Sequence, residues 1–123
     1  MDNVRAALDE GADYAAEHVI VLANRKTVTR DAHVLIVDGE LAVLHNGPGP
    51  IEERMIVAAP VGEVEVLGRP WYGLGQSVDV RIGEHRWQLQ PESASRGSGL
   101  ATPKKMRRAR DSVAAFEAAL AAA

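Results

Sequence analysis

No cysteine occurs among the 123 residues, which excludes disulfides, thiolate zinc sites, iron–sulfur clusters and a cysteine nucleophile. Aromatic residues make up only 4% of the chain, with a single phenylalanine, so aliphatic side chains must fill the core. No apolar run approaches the roughly 18 residues of a membrane-spanning helix. The first residues lack the basic-then-apolar layout of a secretory signal, and the expectation is a soluble, cytoplasmic chain. No repeat is evident, and low complexity is confined to a Ser/Gly stretch and an alanine-rich tail. What remains is 46% hydrophobic and 25% charged, ordinary for a globular protein of a length that suits one domain.

The net charge of −3 hides an asymmetry. Lys104, Lys105, Arg107, Arg108 and Arg110 fall in one seven-residue window without an acid, and outside it 9 basic residues face 17 acidic ones. A body that acidic repels a phosphate backbone, so nucleic acid is not an expected partner. Attraction to a polyanion would be local to that window.

Residues 1–17 are expected to form an N-terminal helix, with Asp2 or Asn3 as cap and Val4, Ala7, Leu8, Ala12 and Ala15 along one stripe. From His18 the apolar period changes from 3.6 to 2. His18 to Ala23 is a β-branched run that suits a strand, and Asn24 to Asp31 is a polar connection carrying Arg25, Lys26 and Arg30. Asp38-Gly39 between Ala32–Val37 and Glu40–His45 marks a hairpin, because both central residues of a type I′ turn need positive φ. That turn sets Val34 against Val43 and Ile36 against Leu41, on one apolar face with His45. Gly47 to Pro50 is a loop, since proline has no amide for a ladder. Glu53–Ala59 and Glu63–Leu67 follow as strands. Gly83-Glu84 predicts a type II′ turn between Ser77–Ile82 and His85–Gln90. Val78, Val80, Ile82, His85, Trp87 and Leu89 then share a dry face, and Ser77, Asp79, Arg81, Arg86, Gln88 and Gln90 a wet one.

Residues 91–101 are a Ser/Gly-rich linker expected to be mobile. Residues 102–123 form a helix that starts at Thr102 and Pro103. Its Met106, Ala109, Val113, Phe116 and Leu120 make a narrow apolar stripe. The fold class is therefore mainly β with α: seven antiparallel strands must curl to bury one face, and a lone amphipathic helix must cover an open end. AHVLIVDGELAVLHNG, PIEERMIVAAPVGEVEVLG, SVDVRIGEHRWQLQ and the helix ending DSVAAFEAAL resemble a pleckstrin-homology-like barrel of the small bacterial or GRAM type. The resemblance covers 18–123 and implies a seven-stranded barrel capped by its C-terminal helix.

Chemistry-bearing motifs are few. His18, His33, His45 and His85 lack metal-ligand spacing, and the predicted register puts His33 and His45 on opposite faces, so no metal and no cofactor is expected. Gly97-Ser98-Gly99 lacks the strand–turn–helix setting of a nucleophile elbow. Gly73-Leu74-Gly75 precedes a strand where a phosphate loop needs a helix. Glu52-Glu53 and Glu63/Glu65 are explained as solvated strand edges. The expectation is a domain that is not an enzyme.

Binding residues can still be named. Trp71 and Tyr72, in a glycine-flanked loop, are candidates for a partner contact, because rigid aromatics dominate interface energetics; alternatively they fold back over the barrel end. Lys104, Lys105, Arg107 and Arg108 are either the wet face of the helix or a surface for an acidic partner. Five cations at a helix N-terminus oppose the macrodipole unless an anion balances them. The resemblance implies a further alternative, in which Arg25, Lys26 and Arg30 on the first strand–strand loop hold an anionic lipid headgroup and make the domain membrane-peripheral. The leading expectation is a protein–protein interaction module, through a protein partner or self-association.

Overall fold

The computed structural model describes residues 11–70, 75–91 and 103–122. Seven strands run β1 Tyr14–Ala23, β2 Lys26–Val37, β3 Glu40–His45, β4 Met55–Pro60, β5 Val64–Gly68, β6 Val78–Ile82 and β7 His85–Gln90. A four-residue helix, α1 Ile51–Arg54, leads into β4, a 3-10 turn at Val61–Glu63 leads into β5, and α2 spans Pro103–Ala122. The strands form one antiparallel sheet in the order β4-β3-β2-β1-β7-β6-β5, curled into a half-barrel. First and last strands meet in its middle, Ile20 opposite Gln90 and Ala23 opposite Trp87.

The two hairpins read from sequence are present in register. Val34 pairs with Val43 and Ile36 with Leu41, around Asp38 and Gly39 at φ 52° and 77°, as a type I′ turn requires. Val80 pairs with Trp87 and Val78 with Leu89, around Gly83 at φ 62°. His45 has the expected parity, opposite Ala32, but is exposed: it ends its strand, beyond the depth that the core reaches.

Two expectations at the N-terminal side need correction. The helix expected over residues 1–17 does not extend through its second half. Residues 14–17 belong to β1, where Tyr14 and Ala16 turn into the core and Val19 and Val21 follow. The inward parity changes between Ala16 and Val19 because the register shifts there, with His18 at φ 60°. A bulge of this kind adds one residue to one strand and breaks the period-2 pattern. Residues 1–10 lie outside the described residues, as does the linker 92–102. The polar connection expected over 24–31 is instead a two-residue turn, Asn24-Arg25, and β2 begins at Lys26. The β-branched Thr27, Val28 and Thr29 favour extended backbone, and they pair back onto β1, Thr27 with Leu22 and Thr29 with Val21.

Helix α2 closes the concave side. Ala109, Val113, Phe116 and Ala119 are buried along it, and Leu120 packs at the core's margin. The two alanines let the helix backbone approach the sheet closely. The Tyr14 hydroxyl lies 2.6 Å from Ser112 Oγ, and its ring meets Phe116 edge-on at 5.4 Å. Arg69 forks onto Glu117, tying the end of β5 to the helix.

The convex side carries a second buried layer, which the one-sided pattern did not anticipate. Ile20, Leu35, Leu44 and His33 are buried there, with Arg54, whose Nη1 donates to the Gly47 carbonyl at 2.7 Å. Neither ring nitrogen of His33 has a hydrogen-bond partner among the described residues. Burial lowers the His33 pKa below its ordinary 6.5, and the nearby Arg54 charge adds to this. The folded state therefore binds fewer protons than the unfolded chain as pH falls below 6.5. Stability is complete above that value and is lost from there down towards the folded pKa, with a slope of at most about 1.4 kcal/mol per pH unit. His33→Leu removes two unpaired buried nitrogens. It should stabilise the domain by about 1–2 kcal/mol at pH 7.5 and flatten this acid limb. Urea unfolding at pH 7.5 and pH 5 measures both; parallel pH profiles for the two proteins would contradict the assignment.

Candidate functional site

A concavity of about 680 Å³ opens on the outer face of the β1-β7-β6 segment. Leu22, Arg25, Pro70, Asp79, Arg86, Gln88 and Gln90 line it. Register explains the grouping: Leu22 pairs with Gln88, and Gln88 with Asp79, so these side chains share one face across three strands.

The β1–β2 turn supplies the rim. Asn24 and Arg25 both have positive φ, 49° and 71°. Asparagine tolerates this conformation, but an arginine where glycine would be at ease costs about 1 kcal/mol. The turn is fastened to the start of β7. The Asn24 amide donates to the Arg86 carbonyl at 2.8 Å, the Arg86 amide donates to Asn24 Oδ1 at 3.1 Å, and Asn24 Nδ2 donates to His85 Nδ1 at 3.0 Å. These bonds hold Asn24 against Arg86, and Arg25 follows it in the chain at the rim.

Arg86 and Arg81 face one another across the hairpin, an arrangement of like charges that each relieves through an acid. Arg81 reaches Glu65 at 3.4 Å in solvent. Arg86 Nη2 donates to Asp79 Oδ2 at 2.6 Å. The Asp79 side chain is only 7% exposed, against 53% for Arg86. Its other oxygen, Oδ1, is buried without a hydrogen-bond partner among the described residues, as is Ser77 Oγ. The face expected to be uniformly wet thus holds a buried anion. Gln90 Nε2 donates to Gln88 Oε1 at 3.0 Å.

The residues singled out from sequence divide among three places. Arg25 stands at the rim of the concavity, whereas Lys26 and Arg30 lie on β2 and are exposed. They do not sit together on a first strand–strand loop, because that loop is two residues long. Trp71 and Tyr72 lie outside the described residues. The leading flank of their connection is tied to α2, where Arg69 pairs with Glu117, and the far flank has Gly75 beside the Arg110 side chain, which leaves no more than van der Waals room for a larger residue. Lys104, Lys105, Arg107 and Arg108 are exposed on the first turns of the same helix. Asp79, Arg86, Gln88 and Gln90 were missed as site residues. The signal that could have found them is the predicted register, which already set two arginines opposite each other and so demanded two acids.

Elsewhere, His18 Nδ1 lies 2.9 Å from Asp31 Oδ1, and Asn46 Nδ2 donates to Asp31 Oδ2 at 2.9 Å. Among the described residues no three His, Cys, Asp or Glu side chains converge to hold a metal ion, and no helix is long and apolar enough to cross a membrane.

No protein-family model matches the sequence, and no curated protein matches it either. A solved structure does match in fold: the apo structure of an activated truncation of Vav1, at a TM-score of 0.56 and 9% identity. The match covers 89% of this chain and 26% of that one, so the chain spans about a quarter of its structural neighbour. With the curled seven-strand antiparallel sheet, it supports a pleckstrin-homology-like fold.

Proposed function

We propose that the chain is a non-catalytic binding module, of the small bacterial or GRAM type within the pleckstrin-homology-like fold, and that its partner is a protein. One observation carries the reading. The connection that bears Trp71 and Tyr72 is tied at its leading flank to α2 through Arg69–Glu117, and at its far flank Gly75 lies beside the Arg110 side chain of the same helix, whose first turns expose Lys104, Lys105, Arg107 and Arg108. Aromatic anchors supply affinity at interfaces, and charge supplies encounter rate and register. A fold of this kind hosts many functions, so the site and not the architecture bears the argument.

The anionic-membrane reading loses support in its original form. It needs Arg25, Lys26 and Arg30 on one loop, and the latter two lie along β2.

The test pairs two measurements. Crosslinking pull-down from host extract should recover a protein with the wild-type chain and lose it with Trp71→Ala. The triple reversal K104E/R107E/R108E should slow association and remove its salt dependence. Co-sedimentation with phosphatidylserine-containing vesicles at low salt should leave the chain in the supernatant. Retention on the vesicles, with capture indifferent to Trp71, would replace this reading with the membrane one.

A further inference from the structure

We infer that the outer-face concavity captures the free C-terminal carboxylate of a partner polypeptide. The inference rests on the protein-binding reading but places a second contact on the outer face of the sheet, opposite the concave side that α2 closes.

Charge decides the class of occupant. The lining holds Arg25 and Arg86 against Asp79, a net of one positive charge. With Arg86 already bonded to a buried carboxylate, the site balances a single anion and disfavours a multiply charged one. A guanidinium fork matches a planar carboxylate. Beyond the arginines, Gln88 and Gln90, bonded to each other, make the floor polar where a peptide backbone would lie. Leu22 and Pro70 give an apolar wall for a terminal side chain. The volume, about 680 Å³, falls within the range of small-ligand sites and well exceeds a bare ion.

The turn supports the same conclusion. Arg25 occupies a left-handed conformation, at φ 71°, in which glycine would be more stable, and strain of this kind concentrates where a side chain is needed for binding. The three hydrogen bonds that fasten Asn24 to His85 and Arg86 fix that side chain's point of departure. The site is thus built before a ligand arrives.

The test uses the intact chain, isotopically labelled, titrated with an N-acetylated tripeptide ending in leucine with a free carboxylate. Amide shifts are expected at Arg25, Arg86, Gln88 and Gln90, saturating with a Kd of about 1 mM, in keeping with the few atoms engaged. The same tripeptide with an amidated C-terminus should bind at least about tenfold more weakly, as loss of a charge-assisted pair implies. Arg25→Gly should weaken binding by about tenfold while its Tm stays level or rises, because glycine relieves the turn. Loss of binding therefore cannot be ascribed to loss of the fold. The inference is overturned by the absence of shifts up to 10 mM (about the limit for a specific weak site), by equal binding of the amide, or by unchanged binding in Arg25→Gly. It is equally overturned if inorganic phosphate alone reproduces the shifts, which would describe a bare anion hole. None of these failures would touch the Trp71-dependent capture, so the two readings fail separately.

Discussion

Phe116→Ala should lower stability by about 3–5 kcal/mol, a fall in Tm of roughly 12–20 °C at about 4 °C per kcal/mol for a domain of this size. Phe116 is 1% exposed and is the chain's one phenylalanine. It bridges the helix stripe and the concave sheet, where Val113 and Val78 are also fully buried. The void beside it, lined by Tyr14, Val19, Val34, Val78, Leu89, Pro91, Val113 and Phe116 itself, measures only about 10 Å³. A seam this tight has no slack to collapse into the space an alanine would leave. The edge-on contact with Tyr14 at 5.4 Å adds about 0.5–1.5 kcal/mol beyond area burial. Thermal unfolding followed by circular dichroism, with Ile51→Ala at an exposed position as the control, measures the effect. A loss below 1 kcal/mol would mean that α2 does not hold the half-barrel shut.

How much of this was legible in the chain depends on whether the information was local. Asp38-Gly39 and Gly83-Glu84 are turn dipeptides whose backbone demands are written in their own side chains, so register followed, and with it the inward rows Val34/Val43 and Val80/Trp87. The helix stripe was equally local: spacings of three and four selected Ala109, Val113 and Phe116, all now buried. The β1–β2 turn was hidden because arginine is not a turn residue. Its place at φ 71° is explained by what surrounds it and not by its own preference. The start of β1 was hidden for a related reason. Tyr14 and Ala16 alternate correctly, but the bulge before Val19 breaks the period, and Ala12 and Ala15 continue a helical spacing that Ala15, in β1, does not obey.

The concavity was invisible for a topological reason. Its lining comes from β1, the β1–β2 turn, Pro70 in the β5–β6 connection, β6 and β7, and the β1–β7 pairing joins Ile20 to Gln90 across most of the chain. No pattern within a window of ten residues encodes that neighbourhood. Alternation correctly assigned Asp79 and Arg86 to the outer face. It does not report how deeply a side chain on that face is covered by others, and here the two partners differ sharply, 7% against 53% exposed.

That difference sets up the second large effect. Arg86→Ala should destabilise the domain by about 2–4 kcal/mol, because it leaves the buried Asp79 carboxylate without its one charged donor among the described residues. Asp79 Oδ1 already has no hydrogen-bond partner among the described residues, so the carboxylate would lose the one donor they give it. The reciprocal change should cost far less. Asp79→Ala leaves Arg86 half exposed, where water satisfies the guanidinium, and it removes an ion whose desolvation opposes folding; about 1 kcal/mol or less is expected. The double variant should then match Asp79→Ala and not the sum of the two, giving a coupling energy of about 2–4 kcal/mol in a double-mutant cycle. Chemical denaturation of the four proteins supplies every term. Additive losses would mean that the 2.6 Å contact is incidental, and Arg86 would then be free to serve a ligand without serving the fold. The expected asymmetry says the opposite: the arginine that faces the concavity is also the counter-ion that lets the sheet bury an acid, so its charge is half committed before anything binds, and Arg25 alone sets how strongly an anion is held.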